Sequence, residues 1–421
     1  MTSPRLTNPL AFRSLCLTAA LSVCLPGLGV AQTQEAGGVL ITFGIDQSLQ
    51  WQDNPDLDIP ASGSDTTSRT KLRFGFVSET RTQRLAFDLG GTVVAGNGTE
   101  SGLVSPSAEL SYRLESAASA LELAAFLREA DVDALDFLTG TDDLGAPVLT
   151  AVTGTGTRRQ TGADLRLEFG RDAPFGGSFS LGRTNTDYRD TTDASLIDNS
   201  RTTAGLTLRF DLTEVTTATA TLSGSRLQED AAPTETTETL TLGLSHDRPD
   251  GAYTTSLSIS RNDDGTRQAL RFGRSIDLPS GKLALSLGLS RPVAGSTQAI
   301  GAIDWQQELA RGTFRIGLSR DVTGNDRDEE TRATRLAVSY SQSLTPTLGL
   351  SLSAGYQASR DTLTGLDATT TNISASLRQD LTADWGLNLG ATHRIKDEDG
   401  VGRAKSSSVF LSLSRDFEFR P

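Results

Sequence analysis

Once its leader is set aside, the chain has no cysteine: Cys16 and Cys24 both fall within the first 31 residues. Disulfides and thiol chemistry are therefore excluded from the mature protein. After the leader no apolar stretch reaches the roughly 20 residues that a membrane-spanning helix requires. Histidine occurs twice, at His246 and His393, and aromatic residues make up 6%. Basic residues are in deficit, since the 390 residues after the leader carry 37 Lys and Arg against 52 Asp and Glu, a net charge of −15. That balance repels a polyanion, so no nucleic acid partner is expected. Apolar residues reach only 36%, low for a packed globule of this length.

The leader itself reads as a secretory signal. Arg5 and Arg13 supply positive charge, residues 15–23 an apolar core, and Gly29-Val30-Ala31 a small-residue cut before Gln32. Leu21-Ser22-Val23-Cys24 departs from a lipoprotein box at Val23, where Gly or Ala is needed. The expected organisation is a signal peptide over 1–31 and one domain over 32–421.

What that domain has in abundance is alternation. Leu283-Ala284-Leu285-Ser286-Leu287-Gly288-Leu289-Ser290 puts leucine at every odd position and a small or polar residue at every even one. Period-2 patterning gives a strand one apolar and one polar face. Segments of this kind, from Ile41/Phe43/Ile45 to Val409/Leu411/Leu413, recur about twenty times. They predict a single antiparallel transmembrane β-barrel of about twenty strands, or eighteen if weak segments such as 179–183 are miscounted. Such a barrel needs only one apolar face per strand, which accounts for the modest apolar content.

Connections alternate in length. Pro279-Ser280-Gly281, Thr345-Pro346-Thr347 and Leu381-Thr382-Ala383-Asp384 are tight, whereas 53–68, 131–157 and 187–199 are long and rich in Asp, Gly and Thr. Short turns belong to the periplasmic side and long loops to the exterior. Both termini are then periplasmic, and the location is the outer membrane of a Gram-negative cell.

The polar phase describes the interior. Arg73, Arg84, Asp88, Glu109, Arg113, Glu122, Arg128, Asp164, Arg166, Glu168 and Arg209 line one wall as a mixed charge ladder. The ninth to thirteenth strands offer mainly hydroxyls, as in Thr219, Thr221, Ser223, Ser256, Ser258 and Ser260. About twenty strands enclose more space than side chains fill, and no plug-sized segment precedes the first strand, so a watery channel is expected. The loop 131–157 combines apolar residues with Asp131, Asp133, Asp136, Asp142 and Asp143. In position and composition it resembles the third loop of general diffusion porins. By that resemblance it would fold inward and set its acids against Arg73, Arg84 and Arg113. Inward aromatics are scarce, with Phe126 the main candidate, which disfavours a stacked sugar slide.

The apolar phase carries two further patterns. Arg183, Arg226, Arg261, Arg291, Arg320 and Arg360 end outward-running strands in the lipid-facing phase. There a guanidinium costs almost nothing and suits the phosphates of lipopolysaccharide, although ordinary strand-end charge is the alternative. Trp51, Trp305 and Trp385 share that phase, as an aromatic girdle does. Arg415 lies in it as well, between Leu413 and Phe417, and predicts a register-resetting bulge.

Catalytic and metal signals are weak. In Ser245-His246-Asp247 neighbouring side chains point to opposite faces and cannot form a relay. Two histidines are too few for zinc. The acidic runs 53–58 and 326–330 lack calcium-loop spacing, and Gly154-Thr155-Gly156 lacks the lysine of a phosphate loop. No enzyme activity, cofactor or metal is expected.

Phe43-Gly44-Ile45 through Trp51-Gln52-Asp53-Asn54-Pro55 resembles the opening of the type 2 β-barrel porin family among alphaproteobacterial outer-membrane barrels. Some members accompany exopolysaccharide gene clusters, so the resemblance also implies an export role. A departure is the C-terminus, where Arg420-Pro421 follow the aromatic Phe419 that the outer-membrane assembly machinery would recognise. The leading expectation is passive diffusion of small polar solutes. Polysaccharide secretion with a periplasmic partner and a structural or adhesive barrel are the alternatives. Partners would be outer-membrane lipid, lipopolysaccharide, the assembly machinery and the solutes, with a homo-oligomer open because diffusion porins are often trimeric.

Overall fold

The computed structural model describes residues 37–421 apart from 56, 97–101, 132–139, 142–146, 149–155, 192–195, 231–232, 294, 325–329 and 362–366. The leader 1–31 and most of the loop 131–157 lie outside the described residues. The apolar alternation folds into the following strands. The first eleven are β1 (Gly38–Asp53), β2 (Ser64–Glu79), β3 (Gln83–Gly96), β4 (Gly102–Glu115), β5 (Ser119–Asp131), β6 (Gly140–Thr141), β7 (Pro147–Val148), β8 (Thr157–Phe169), β9 (Phe175–Arg189), β10 (Asn199–Thr213) and β11 (Thr216–Glu229). The rest are β12 (Glu235–Arg248), β13 (Gly251–Asn262), β14 (Gly265–Leu278), β15 (Gly281–Arg291), β16 (Gln298–Leu309), β17 (Gly312–Gly324), β18 (Glu330–Ser343), β19 (Leu348–Asp361), β20 (Asp367–Asp380), β21 (Trp385–Glu398) and β22 (Gly402–Phe419).

Apart from β6 and β7, which pair only with each other, twenty strands form one antiparallel sheet. Each pairs with its chain neighbours, and β22 closes on β1 from Ile41 opposite Phe419 to Asp53 opposite Ser407. Closure leaves no strand edge exposed, the condition for backbone amides to survive in hydrocarbon. The segment 179–183 belongs to the full-length β9, so the count is twenty rather than eighteen. Phe419 ends the closing strand.

The start of β1 and the end of β22 share one end of the barrel with connections such as 214–215, 249–250 and 279–280. The other end carries 54–63, 132–156 and 190–198, and also tight hairpins at 263–264 and 399–401. At the former, Gly265 takes a φ of 153° and its amide donates to Asn262 Oδ1 at 3.0 Å. Pairing outruns the apolar pattern: β2 begins at Ser64, inside the stretch expected to be loop. Polar Thr and Ser extend the ladder there because a strand needs apolar side chains only at membrane depth.

The apolar phase faces outward. Leu49, Leu222, Phe272, Leu287 and Leu289 are all more than half exposed, Leu287 by 76%. One expectation fails at the end of the chain. No bulge resets β22, for the ladder runs without a shift through Ile45 opposite Arg415 and Trp385 opposite Arg415. Arg415 stays outward because its guanidinium stacks on Trp385 at 5.2 Å and Phe417 at 4.3 Å near the short-turn end. A bulge occurs instead in β4, between Val104 opposite Thr92 and Ser107 opposite Gly90. Ser105 has a φ of 52° and Pro106 has no amide to donate, so the ladder breaks where it loses least.

Candidate functional site

The inner wall is the candidate site; on β2, β3, β4, β5, β8 and β10 the eleven expected wall residues alternate with exposed apolar side chains such as Phe74, Leu85, Leu110, Leu123, Leu167 and Phe210. Most of the eleven are paired. Arg73 meets Asp416 at 3.1 Å and Arg84 meets Glu79 at 3.8 Å. Arg113 lies between Glu122 at 2.6 Å and Glu115 at 3.2 Å, and Arg128 meets Glu109 at 2.9 Å. Arg166 and Glu168 pair at 2.9 Å. Arg209 donates to the carbonyls of Gly170, Arg171 and Ala173 at 2.8–2.9 Å and so caps the turn 170–174. Asp88 and Asp164 join no ion pair among the described residues.

Arg171, in that turn, ties the belt together. It bonds Glu115 and also Glu168, the latter at 2.9 Å, and these bonds hold its guanidinium above the ordinary arginine range, Glu115 contributing most. Neither Arg171 nor Glu115 shows in the strand pattern, since one lies in a turn and the other at a strand end. The belt runs along β22 and β2 to β10 toward the short-turn end. Because Arg73, Arg84 and Arg113 are answered by carboxylates of the wall, much of their charge is spent locally. Of the loop acids, Asp131 ends β5, while Asp133, Asp136, Asp142 and Asp143 lie outside the described residues.

The opposite wall is hydroxylated, with Thr207 to Thr221 at 3.1 Å, Thr239 to Ser260 at 2.9 Å and Thr241 to Ser258 at 3.2 Å. It is less smooth than the alternation suggests, because Arg267 and Arg271 of β14 are also inward. Arg271 pairs with Asp321, three strands away on β17, and these side chains are 31% and 15% exposed. From β15 to β20 small residues open a recess of about 560 Å³, with Lys282, Asp304, Gln306, Arg315 and Asn372 around it. The Oδ1 of Asn372 is buried without a hydrogen-bond partner. This rim offers charges of both signs and amide groups to a polar solute.

Among the described residues the inward aromatics are Phe126, Tyr188 and Phe410. Phe126 covers Gly162, with Arg128 over its ring at 5.0 Å, and Phe410 covers Gly390. A Cβ on either glycine would overlap the ring, so these aromatics lie flat against the wall and form no stacked row. His246 Nδ1 lies 2.9 Å from Thr216 Oγ1, and His393 Nδ1 lies 2.9 Å from Ser407 Oγ. Both face outward. Among the described residues no group of three or more His, Asp or Glu side chains is placed to hold a metal.

Outside, aromatics gather at the short-turn end. Trp305 meets Phe314 edge-on at 5.6 Å, Phe175 packs on Phe169 and Phe210 at 6.1 and 5.1 Å, and Trp385 stacks under Arg415. Trp51 is at the opposite rim, 45% exposed.

No family model and no curated protein matches the sequence. Among solved structures, the siderophore receptor PirA of Pseudomonas aeruginosa is 8% identical, with a TM-score of 0.52 over 91% of this chain and 81% of that one. A variant of the ferric enterobactin receptor PfeA from the same organism is 10% identical, with a TM-score of 0.54 over 91% and 81%. The outer membrane protein OpdK, also from P. aeruginosa, is 12% identical, with a TM-score of 0.45 over 90% and 99%. At these identities the two receptors show likeness of fold alone, the large closed barrel of outer-membrane proteins.

Proposed function

We propose that the protein is an outer-membrane channel through which small hydrophilic solutes diffuse passively. The observation that carries this reading is the division of side chains around a closed twenty-stranded wall, apolar outside and charged or hydroxylated inside. Strands about 4.8 Å apart and tilted about 40° close a cylinder with a backbone diameter of about 40 Å. Barrels of sixteen to eighteen strands already hold a water channel, so this interior needs water or an inserted segment. The leader 1–31 takes the chain across the inner membrane, the assembly machinery inserts it, and both termini remain with the short turns in the periplasm. The likeness of the first strand to type 2 porins belongs with this reading. The role is transport, not catalysis, and the flat-lying Phe126 and Phe410 favour small solutes over a long saccharide.

In this reading the loop 131–157 narrows the hole. Replacing Asp133 and Asp136 with Asn then lowers cation preference, and an unchanged reversal potential excludes that placement. The role itself is tested by swelling of proteoliposomes. Pentose-sized sugars should enter within seconds while large dextrans stay out, and liposomes impermeable to both would refute the channel.

A further inference from the structure

Six successive strands that run toward the long-loop end each carry an arginine in the outward phase of their second half. They are Arg183 on β9, Arg226 on β11, Arg261 on β13, Arg291 on β15, Arg320 on β17 and Arg360 on β19, and all six are exposed. The intervening strands set mostly hydroxyl or amide groups beside them: Thr202 faces Arg183 and Arg226, Gln268 faces Arg291, and Thr334 faces Arg320. Two carboxylates interrupt the row. Glu238 is opposite Arg261 without an ion pair, and Asp367 is 3.8 Å from Arg360. Arg183 reaches Asn185 at 3.4 Å. Arg226, Arg261, Arg291 and Arg320 have no side-chain hydrogen bond or ion pair among the described residues.

A seventh arginine lies in the same phase. Arg332 of β18 faces Arg360 directly in the same phase, and its own bond is to Gln298 Oε1 at 3.3 Å. Arg360 is answered on its other side by Asp367 and Arg332 turns to Gln298, so this pair is settled within the protein and the row's unanswered charge lies at Arg226, Arg261, Arg291 and Arg320. Two residues below Arg183, Arg261, Arg291 and Arg320 stand exposed Leu181, Ile259, Leu289 and Leu318. Two residues along a strand span about 7 Å. The row therefore presents guanidinium groups one such step above an apolar surface, which suits a lipid carrying phosphate better than free phosphate.

We propose that this arc, from β9 to β19, binds the phosphates of lipid A in the outer leaflet by bidentate guanidinium contacts. The proposal rests on membrane residence as read above but not on conduction, so a silent barrel that holds lipid A would sink the channel and leave this site standing. The test is native mass spectrometry of the detergent-purified barrel with added diphosphoryl lipid A, dephosphorylated lipid A or phosphatidylglycerol. The wild type should hold diphosphoryl lipid A about tenfold more tightly than an R226Q/R261Q/R291Q variant, equivalent to about 1.4 kcal/mol. Dephosphorylated lipid A and phosphatidylglycerol should be held no better than by the variant, and millimolar inorganic phosphate should not displace the glycolipid. Heat-dependent gel mobility reports whether the variant folds. Should it not, R226K/R261K/R291K keeps the charge and removes the bidentate fork, and a loss of about threefold is expected. Equal retention by whichever variant folds, equal retention of the dephosphorylated lipid or of phosphatidylglycerol, or displacement by free phosphate overturns the proposal.

Discussion

At the residue scale, single side chains stiffen the two rims of the barrel. Asn54, 1% exposed, organises the loop after β1. Its Nδ2 donates to the carbonyls of Asp58 and Lys405 at 3.1 and 3.0 Å, and its Oδ1 accepts from the amides of Asp58 and Ser62. Asn54, Asp58 and Ser62 are thereby tied together and across to Lys405 of β22. Asn54→Ala should destabilise this loop by about 1–3 kcal/mol. Hydrogen exchange at the Asp58 and Ser62 amides should accelerate accordingly while the strands stay protected, and unchanged exchange would contradict this role. At the other rim Arg274 donates to Asp250 at 2.5 Å and holds that carboxyl below its ordinary value. A depressed carboxylate stabilises the fold above the unfolded pKa, near 4, and loses that contribution as pH falls through the folded value. Asp250→Asn should lower the heat-unfolding midpoint at pH 7, with the gap narrowing as pH falls below the unfolded value. A gap independent of pH would show that the bond contributes nothing.

At the element scale the repeating unit is the hairpin, and its apolar face was legible in the sequence because lipid demands it on every strand. That is why twenty segments could be counted from residues such as Leu283 to Leu289. The polar face carries no such obligation, so its contacts were less legible. The inward position of Arg271 follows from its place between Leu270 and Phe272, yet its bond to Asp321 depends on how the wall curves from β14 to β17. Arg415 departs from the expected bulge for the same reason, since Trp385 belongs to another strand and nothing local announces the stack. Phe410 was readable between Val409 and Leu411, but only Gly390 across the ladder explains why it lies flat. Asp321→Asn should leave Arg271 half-buried and unanswered inside the lumen. The reversal potential should then move toward anion preference with unitary conductance changed by less than about a third, whereas an unmoved potential would place this pair outside the conduction path. Gly390→Leu should push the Phe410 ring off the wall and reduce unitary conductance. Wild-type conductance in that variant would remove Phe410 from the account of the lumen.

At the scale of the whole molecule, charge and grease are sorted by direction rather than by depth. A globule hides apolar side chains inside, whereas here Leu287 and Leu289 are among the most exposed and Arg113, Glu115 and Arg171 form part of the interior lining. That inversion makes sense only with lipid outside and water within. Acidic excess over the whole chain and locally neutralised arginines on the charged wall together predict a modest preference for cations. The most direct measurement is single-channel recording of the purified, refolded protein in a planar lipid bilayer. The account predicts discrete steps of one size that persist at both polarities, with a reversal potential mildly favouring cations. A bilayer that stays silent after insertion, shown by protection of the strands from protease, would contradict it.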